Sequence, residues 1–394
     1  LSLFKMLLCL LEKNHMIFLI IFIGISVRCS VIIFNYFTGY NSFIGPDSYG
    51  LHHTAIMLSK KDLHFIISQK YHLNNFYLFV APIFYKFSPF TSYTFGSLIS
   101  TICWLISIFS CLNIMKILKV KKDYQIFALF LLCFWPSSIL FTSAVSREAF
   151  QILLVCASVL FTIKTLFLKK IQYFFYLILV SVVLSLFHKA FFFFSLWNLL
   201  ISFFSLISLK FLKSKINIII SLVVVLILII LIQNYENYGY KQFTQGLPAA
   251  VEIYQNGLLI NSDARANMRT YPVSIFDYPD LFVFVLVAFY DYFTQPNLSK
   301  ILSLGDLLAF AENIARILLI LFSMIFYFKN KNLNRKYILY LFFTFFFIET
   351  VWALGTSNWG TALRHHTTAF PVLVIFFVSF FNDQEYIPDR TKLN

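Results

Sequence analysis

Long apolar runs alternate with short basic connections along this chain. Residues 216–232 read INIIISLVVVLILIILI and carry no charge. A helix needs about 20 apolar residues to span a bilayer core, and several runs approach or reach that length. The runs are continuous and do not alternate with polar residues, which excludes the strands of a membrane β-barrel. The pattern therefore predicts an all-α polytopic membrane protein.

The basic connections orient these runs, because loops rich in Lys and Arg stay cytoplasmic. Threading the chain by this rule predicts about ten spans, at about 15–37, 92–115, 124–145, 149–168, 171–187, 190–209, 216–232, 305–328, 337–353 and 367–381. It leaves outer segments 38–91 and 233–304, an outer loop 354–366 and a cytoplasmic tail 382–394. No internal repeat or second domain is visible, so residues 1–394 are expected to form a single integral membrane domain.

One apolar run does not fit as a span. Residues 281–295 are short, contain Asp291 and precede Pro296. Such a segment is typical of a re-entrant or interfacial helix. Keeping it on the outer side leaves every basic cluster cytoplasmic, which supports this threading.

Composition agrees with a membrane protein. The 394 residues are 60% hydrophobic and 12% charged, too apolar for a soluble domain of this length. The net charge of +14 is explained by the cytoplasmic loops, so no nucleic-acid partner is expected. The six cysteines lie in or beside apolar runs without metal-ligand spacing and are interpreted as small core residues. No signal-peptide cleavage pattern is present, so the first run is expected to remain as an anchor.

Unusual polar residues converge on the outer side of the threaded chain. A charge at membrane depth costs several kcal/mol unless it is paired or faces a water-filled cavity, so this convergence predicts a polar cavity that opens outward. The residues that meet there are Asp47, His52, Arg147, Glu148, Lys189, Arg269, Glu312, Arg316, Glu349, Asn358, Arg364, His365 and His366.

Several of these residues have a purely structural interpretation as well. Arg147 and Glu148 fit a helix–helix turn at headgroup level. Glu312 and Arg316, one helical turn apart, fit a structural ion pair. Asp47 follows Gly-Pro and starts a half-polar helix pattern, so it fits an N-cap as well as a catalytic base. Both interpretations stay open for each of them.

Three motifs, in this order, resemble those of bacterial GT-C-type glycosyltransferases and related membrane proteins of polysaccharide gene clusters. The first is an acid followed by an aromatic residue and a helix, in PDSYGLHHTA. The second is a Pro-Ser … Ser … (Lys/Arg)-Glu pattern, in WPSSILFTSAVSREAF. The third is Gly-Thr-Ala-hydrophobic-Arg-(His/Arg) before a proline, in WGTALRHHTTAFP. The resemblance extends from about residue 15 to 381. The first loop has Asp47 alone and no paired acid, which puts a metal in doubt, and no large soluble C-terminal domain follows.

The resemblance implies transfer of a sugar from a polyprenyl-(di)phosphate-linked donor to a glycan or lipid-linked acceptor, on the outer face of the bacterial inner membrane. Asp47 is the expected base for the acceptor hydroxyl. Arginines suit the leaving phosphate because they bind it bidentately. The phosphate-binding candidates are Arg364, Arg147, Lys189, Arg269 and His365, with Glu148, His52, Glu312 and Asn358 in support. No metal ligand is assigned, and the need for a divalent metal or other cofactor stays unknown.

Two other functions remain as alternatives. An O-antigen-type polymerase of polysaccharide repeat units would use the same donor chemistry on the same face. A transporter or flippase of lipid-linked sugars would instead need charged residues distributed through the membrane depth. The predicted clustering at the outer ends of the spans favours an enzyme over a transporter.

Overall fold

The computed structural model describes residues 14–38, 46–68, 77–88, 92–188, 190–207, 278–329, 335–356 and 358–382. These ranges are helical apart from turns, one 3-10 turn and an isolated β-bridge between Val120 and Asn382. The α-helices are α1 (His15–Thr38), α2 (Pro46–Ser59), α3 (Leu63–Ser68), α4 (Tyr77–Phe87), α5 (Tyr93–Ile117), α6 (Lys122–Phe134), α7 (Pro136–Thr142), α8 (Arg147–Leu168), α9 (Ile171–Phe187), α10 (Phe191–Ile207), α11 (Tyr278–Thr294), α12 (Leu304–Lys329), α13 (Arg335–Gly355) and α14 (Trp359–Val378).

Six of the described helices are long and apolar enough to cross a membrane: α1, α5, α8, α12, α13 and α14. The bent pair α6–α7 makes a seventh if it counts as one span. Helices α9, α10 and the second half of α11 are apolar but shorter. The prediction of an all-α, multi-pass membrane protein is confirmed. The count of ten spans is not, and the predicted span at 216–232 lies outside the described residues.

Helices α8 and α14 form the centre of the bundle. Helix α8 packs against α5, α9, α10 and α14, and α14 also packs against α6, α12 and α13. The sequence of α8 explains this, because apolar and small residues are buried around most of the helix. They include Ala149, Ile152, Val155, Cys156, Ser158, Val159, Leu160, Thr162, Ile163 and Leu166.

The loops at the two ends of the bundle differ in charge. One end, here called the basic end, carries the described lysines of the short basic connections: Lys116, Lys119, Lys121, Lys122, Lys169, Lys170, Lys329 and Lys336. Contacts between chain segments confirm that they share an end, since the Tyr124 and Phe381 rings stack at 3.9 Å and Phe167 lies 5.6 Å from Tyr337. The opposite end, here called the distal end, contains the starts of α8 and α14. The threading predicted this separation of charge.

The predicted continuous helix at 124–145 is wrong, because the chain bends by 56° between α6 and α7. Pro136 has no N–H and keeps Trp135 extended, at φ −64° and ψ 121°. The freed carbonyls of α6 obtain donors from other helices. Trp104 Nε1 donates to the Leu132 carbonyl at 3.4 Å, and Arg28 Nη1 donates to the Cys133 carbonyl at 2.9 Å. Hydrogen bonds from α1 and α5 thus stabilise the break between α6 and α7.

The first outer segment contains three short helices, α2, α3 and α4, and α2 packs on α4. The start of α2 is held to the turn before α8 by a bond from Ser48 Oγ to the Val145 carbonyl at 2.7 Å. The Tyr85 hydroxyl of α4 lies directly against Gly96 of α5, where any larger residue would displace it. These contacts hold the start of α2 against the turn that precedes Arg147.

Two segments run differently from the threading. The predicted outer loop 354–366 is wrong from residue 359 onward, because α14 already begins at Trp359. In α11, Phe289 lies beside Phe346 of α13, and three residues later Tyr292 contacts His366, which is bonded to Glu349. Helix α11 therefore runs parallel to α13, as a span would, and its placement wholly on the outer side stays a prediction.

Candidate functional site

Three charged residues from two distant parts of the chain meet at the distal end. Arg147 and Glu148 open α8, and Arg364 belongs to the second turn of α14. Glu148 Oε1 accepts hydrogen bonds from Arg364 Nη2 at 2.8 Å and Nε at 3.1 Å, and Arg147 Nε lies 3.5 Å away. We call Arg147, Glu148 and Arg364 the distal cluster. It joins two of the three motifs that the sequence analysis identified.

Local structure fixes where these side chains lie. Ser146 Oγ donates to the Phe141 carbonyl at 2.6 Å, which closes the turn between α7 and α8. Glu148 then lies in the first turn of α8, where the helix dipole favours a negative charge. On α14, Asn358 caps the helix by accepting from Gly360 N at 2.7 Å and Thr361 N at 3.3 Å. Asn358 thus positions Arg364 as a helix cap, and the structure gives it no further role.

The side chains of the distal cluster are only partly buried, and some of their polar atoms do not bond to each other. The Glu148 side chain is 2% exposed, whereas Arg147 is 28% and Arg364 is 21% exposed. Within the described part of the chain, Glu148 Oε2 accepts no hydrogen bond and the two terminal nitrogens of Arg147 donate none. Among the described side chains, two guanidinium groups face one carboxylate, so positive charge is in excess there. This arrangement can bind an anion through the exposed fork of Arg147.

Asp47 is the second residue of α2, and the structure describes its backbone but not its side chain. The bond from the neighbouring Ser48 to Val145 places that backbone near the distal cluster. The proximity of the first motif to Arg147 therefore follows from the fold. Its role as a base stays a prediction.

His52 is a packing residue of the α2–α4 layer. Its Nδ1 is 2.9 Å from the Tyr85 hydroxyl, and its ring meets Tyr93 edge-on at 5.2 Å. Burial, and secondarily the neighbouring His53, lowers the pKa of His52 from 6.5 to about 4. It is therefore neutral at physiological pH and supports the site by holding α2 in place.

His365 lies beside the distal cluster but is almost fully buried. It stacks on Trp352 at 3.8 Å and places its Nδ1 2.8 Å from Thr356 Oγ1. The His188 ring is 6.3 Å away, and Arg147 and Arg364 are close enough to act on it electrostatically. A buried imidazole next to two arginines is a poor third cation for a phosphate. Its assignment as a phosphate-binding group does not fit this environment.

Glu312 belongs to a second, fully buried cluster. Its carboxylate accepts from Ser137 N at 2.6 Å, from Ser137 Oγ at 2.7 Å and from Arg316 Nη2 at 2.5 Å. Glu312 and Arg316 are 3% and 1% exposed. We call Glu312, Arg316 and Ser137 the core cluster. The structural ion pair is thus the interpretation that the geometry supports, because Glu312 holds the start of α7 in place.

Two buried polar features escaped the sequence analysis. Arg28 is completely buried, with its guanidinium 3.4 Å from the Trp104 ring centre and its Nε bonded to Thr142 Oγ1 at 2.8 Å. Its position as a single Arg within the apolar run of α1 could have revealed it. His366 and Glu349 form a buried pair at 2.9 Å, which the 17-residue separation in sequence concealed.

Other candidates cannot be placed. Lys189 and Arg269 lie outside the described residues. Among the side chains that the structure does describe, no three His, Cys, Asp or Glu residues group in a way that could hold a metal ion.

Comparisons of the chain with protein-family models, with curated proteins and with solved structures found no match. The resemblance to GT-C-type glycosyltransferases therefore stays a prediction from the three sequence motifs.

Proposed function

We propose that this protein is a membrane glycosyltransferase that takes its sugar from a polyprenyl-(di)phosphate-linked donor. The observation that carries the proposal is the bridge from Glu148 to Arg364, which joins the second and third motifs across 216 residues at the distal end. Such an enzyme needs its site on the outer face of the membrane. The bridge lies opposite the basic end, at the distal end. By the positive-inside rule, that end faces the outside of the cytoplasmic membrane.

The two arginines suit the phosphate of the donor. The fork of Arg147 is exposed and forms only a 3.5 Å contact with Glu148, so it can bind phosphate oxygens directly. Arg364 is held through two nitrogens and supplies a fixed positive charge beside it. The structure thus supports Arg147 ahead of Arg364 as the direct phosphate ligand, the reverse of the order expected from the sequence.

Glu148 organises these cations and is not a base in this scheme. Its Oε1 is shared by both arginines, so the two guanidinium groups stay close together despite their repulsion. Without that carboxylate, two like charges would lie together at the membrane surface with no counter-charge.

The distribution of buried charge favours an enzyme over a lipid-linked sugar transporter. Arg28, Arg316 and Glu312 do lie within spans, but fixed backbone and side-chain groups bond each of them. Residues on a transport path would instead face a cavity. The polymerase alternative shares the donor chemistry and the site, so the same residues would serve it.

The test compares arginine variants with a cation outside the cluster. Arg147→Gln should weaken binding of undecaprenyl phosphate to the purified protein at least tenfold, because one charge-assisted pair is worth about 1.5–3 kcal/mol. Native mass spectrometry in detergent measures the binding. In a deletion strain carrying the variant, the surface polysaccharide of the host should shorten or disappear.

Lys300→Gln is the matched control, since Lys300 lies at the same end against the Trp359 ring, 5.7 Å from its centre. It removes the same charge and should leave binding and polysaccharide unchanged. Equal losses in both variants, or undiminished binding in Arg147→Gln, would reject the site.

A further inference from the structure

Two prolines interrupt helices at neighbouring places inside the bundle. Pro136 starts α7 directly after the break from α6, and Pro371 lies in the interior of α14. The residues before them, Trp135 and Phe370, stack with their ring centres 4.0 Å apart. Because proline has no N–H, each one leaves the carbonyl four residues earlier without its helical donor. These two carbonyls belong to Leu132 and Thr367.

The two freed carbonyls differ in the donors that reach them. The Leu132 carbonyl accepts a hydrogen bond from Trp104 Nε1 at 3.4 Å. Among the described residues, no donor from outside α14 bonds to the Thr367 carbonyl. In the interior of a membrane protein a carbonyl without a donor is strongly disfavoured. The Thr367 carbonyl therefore needs a donor that the neighbouring helices do not supply.

A small cavity lies beside this carbonyl. Thr367 and Pro371 line it from α14, Ser107 lines it from α5, and Ser138 lines it from α7. The space open to the centre of a water molecule is about 10 Å³, which is room for one water. The cavity lies inside the bundle, since its three polar residues are at most 5% exposed.

The polar groups that line the cavity have hydrogen-bonding capacity left. Ser138 Oγ accepts from Arg28 Nη2 at 3.4 Å, and its own hydrogen has no acceptor among the described residues. The Ser107 hydroxyl donates to the Trp104 carbonyl at 2.6 Å, so its oxygen can still accept. The Thr367 hydroxyl already donates to a carbonyl of its own helix at 2.8 Å. The cavity thus offers one donor, from Ser138, and two acceptors, Ser107 Oγ and the Thr367 carbonyl.

We propose that this cavity is a binding site for one water molecule, which supplies the donor that Pro371 lacks. The water donates one hydrogen to the Thr367 carbonyl and the other to Ser107 Oγ, and it accepts the hydrogen of Ser138. Buried waters typically make about three hydrogen bonds to protein groups. The water then joins α5, α7 and α14 at the level of the two prolines, and so connects the helix break to the helix that carries Arg364.

A structure of the full chain in lipid nanodiscs tests the site directly. At a resolution that shows other buried waters, density should lie within hydrogen-bonding distance of Ser138 Oγ, Ser107 Oγ and the Thr367 carbonyl. The same density missing at that resolution would overturn the inference. Xenon bound in this cavity in pressurised crystals of the wild-type protein would also overturn it, because xenon binds in dry, apolar cavities.

A matched pair of serine variants tests the contribution of the water to stability. Ser107→Ala removes one acceptor of the water and should lower the thermal unfolding midpoint in detergent by about 1–3 °C. Ser110→Ala is the control, because Ser110 also bonds to a carbonyl of α5, at 3.2 Å, but does not line the cavity. It should leave the midpoint unchanged. Equal midpoints in the two variants would remove Ser107 from the site and contradict the three-bond arrangement.

A double-mutant cycle tests the link between the water and Pro371. Pro371→Ala restores the backbone N–H that the Thr367 carbonyl lacks, so the water loses one of its acceptors. In this background Ser107→Ala should lower the midpoint less than it does in the wild type, because the groups share one water. If Pro371→Ala does not accumulate in the membrane, Ser138→Ala replaces it, with the same expected coupling. Strictly additive shifts would show that no shared water connects these groups.

Discussion

The distal and core clusters contain the same chemical groups, arginine and glutamate side chains in ionic contact, but they differ in burial and in how the carboxylate is bonded. In the core cluster both oxygens of Glu312 accept hydrogen bonds and both charged residues are at most 3% exposed. In the distal cluster two partly exposed arginines share one oxygen of Glu148, and the other oxygen has no partner among the described residues.

The difference teaches how geometry separates a binding site from the scaffold that supports it. In the core cluster both carboxylate oxygens are bonded and both charged side chains are buried, so the pair holds helices together and is not accessible to a ligand, although Arg316 Nε has no partner among the described residues. An ion pair at the surface that has donors and acceptors without protein partners needs water or a ligand to bond them. By this criterion the distal cluster is the site and the core cluster is part of the scaffold.

The largest expected difference between the two clusters is in their contribution to the stability of the folded protein. Glu312→Gln leaves the Arg316 charge buried without a counter-charge, which costs about 3–5 kcal/mol of unfolding free energy. We expect a large fall in the thermal unfolding midpoint in detergent, or loss of the protein from membranes. Glu148→Gln is the matched variant and should lower the midpoint much less, because water reaches both arginines. Equal destabilisation would mean that the distal cluster is structural too.

A second variant loosens the distal region without touching the core cluster. In Gly96→Ala the added methyl group meets the Tyr85 hydroxyl and lies 2.8 Å from Val145 Cγ2, in the turn before Arg147. Overpacking of this kind costs about 1–3 kcal/mol, and undecaprenyl phosphate binding should fall with it. Gly50→Ala in α2 is the control, since nothing lies within 4 Å of the new carbon. Wild-type unfolding and binding in Gly96→Ala would show that the α2–α4 layer does not position the cluster.

The smallest expected effect is a pH dependence confined to the distal region. Folded His52 stays neutral down to about pH 4, whereas the unfolded chain takes up that proton near pH 6.5. The unfolded state therefore binds more protons between these values, and stability falls as the pH drops from about 6.5 to 4. In His52→Gln the decrease in thermal midpoint over this range should be shallower than in the wild type. An identical slope would mean that His52 contributes nothing to it.

The sequence predicted the class of fold and the lysine-rich end of the bundle, because apolar run length and lysine position are local properties. The junction at Arg147 and Glu148 also follows from it, since the apolar runs on either side have the length of spans. Helix start signals were less well interpreted. Asn358 was assigned to a loop, although Asn-Trp-Gly-Thr starts α14 with an N-cap.

Pairings between helices could not be predicted, because they depend on which faces meet. Nothing in the sequence relates Glu148 to an arginine 216 residues later, or Glu349 to His366 and not to His365. The helix break at Pro136 was visible as a proline, but Arg28 as the donor to the freed carbonyl was not. The motifs thus predicted which residues belong to the site, and the fold indicated what each of these residues contacts.

The bond between Arg28 and the Cys133 carbonyl has a consequence for biogenesis. The two residues are 105 positions apart, so a ribosome completes α1 long before the broken helix exists. An arginine at the centre of a lone helix costs about 3 kcal/mol on insertion, and only the strong hydropathy of α1 offsets this. Helix α1 can therefore insert alone, with Arg28 still hydrated. The arrival of α6 then provides the carbonyl that replaces this water.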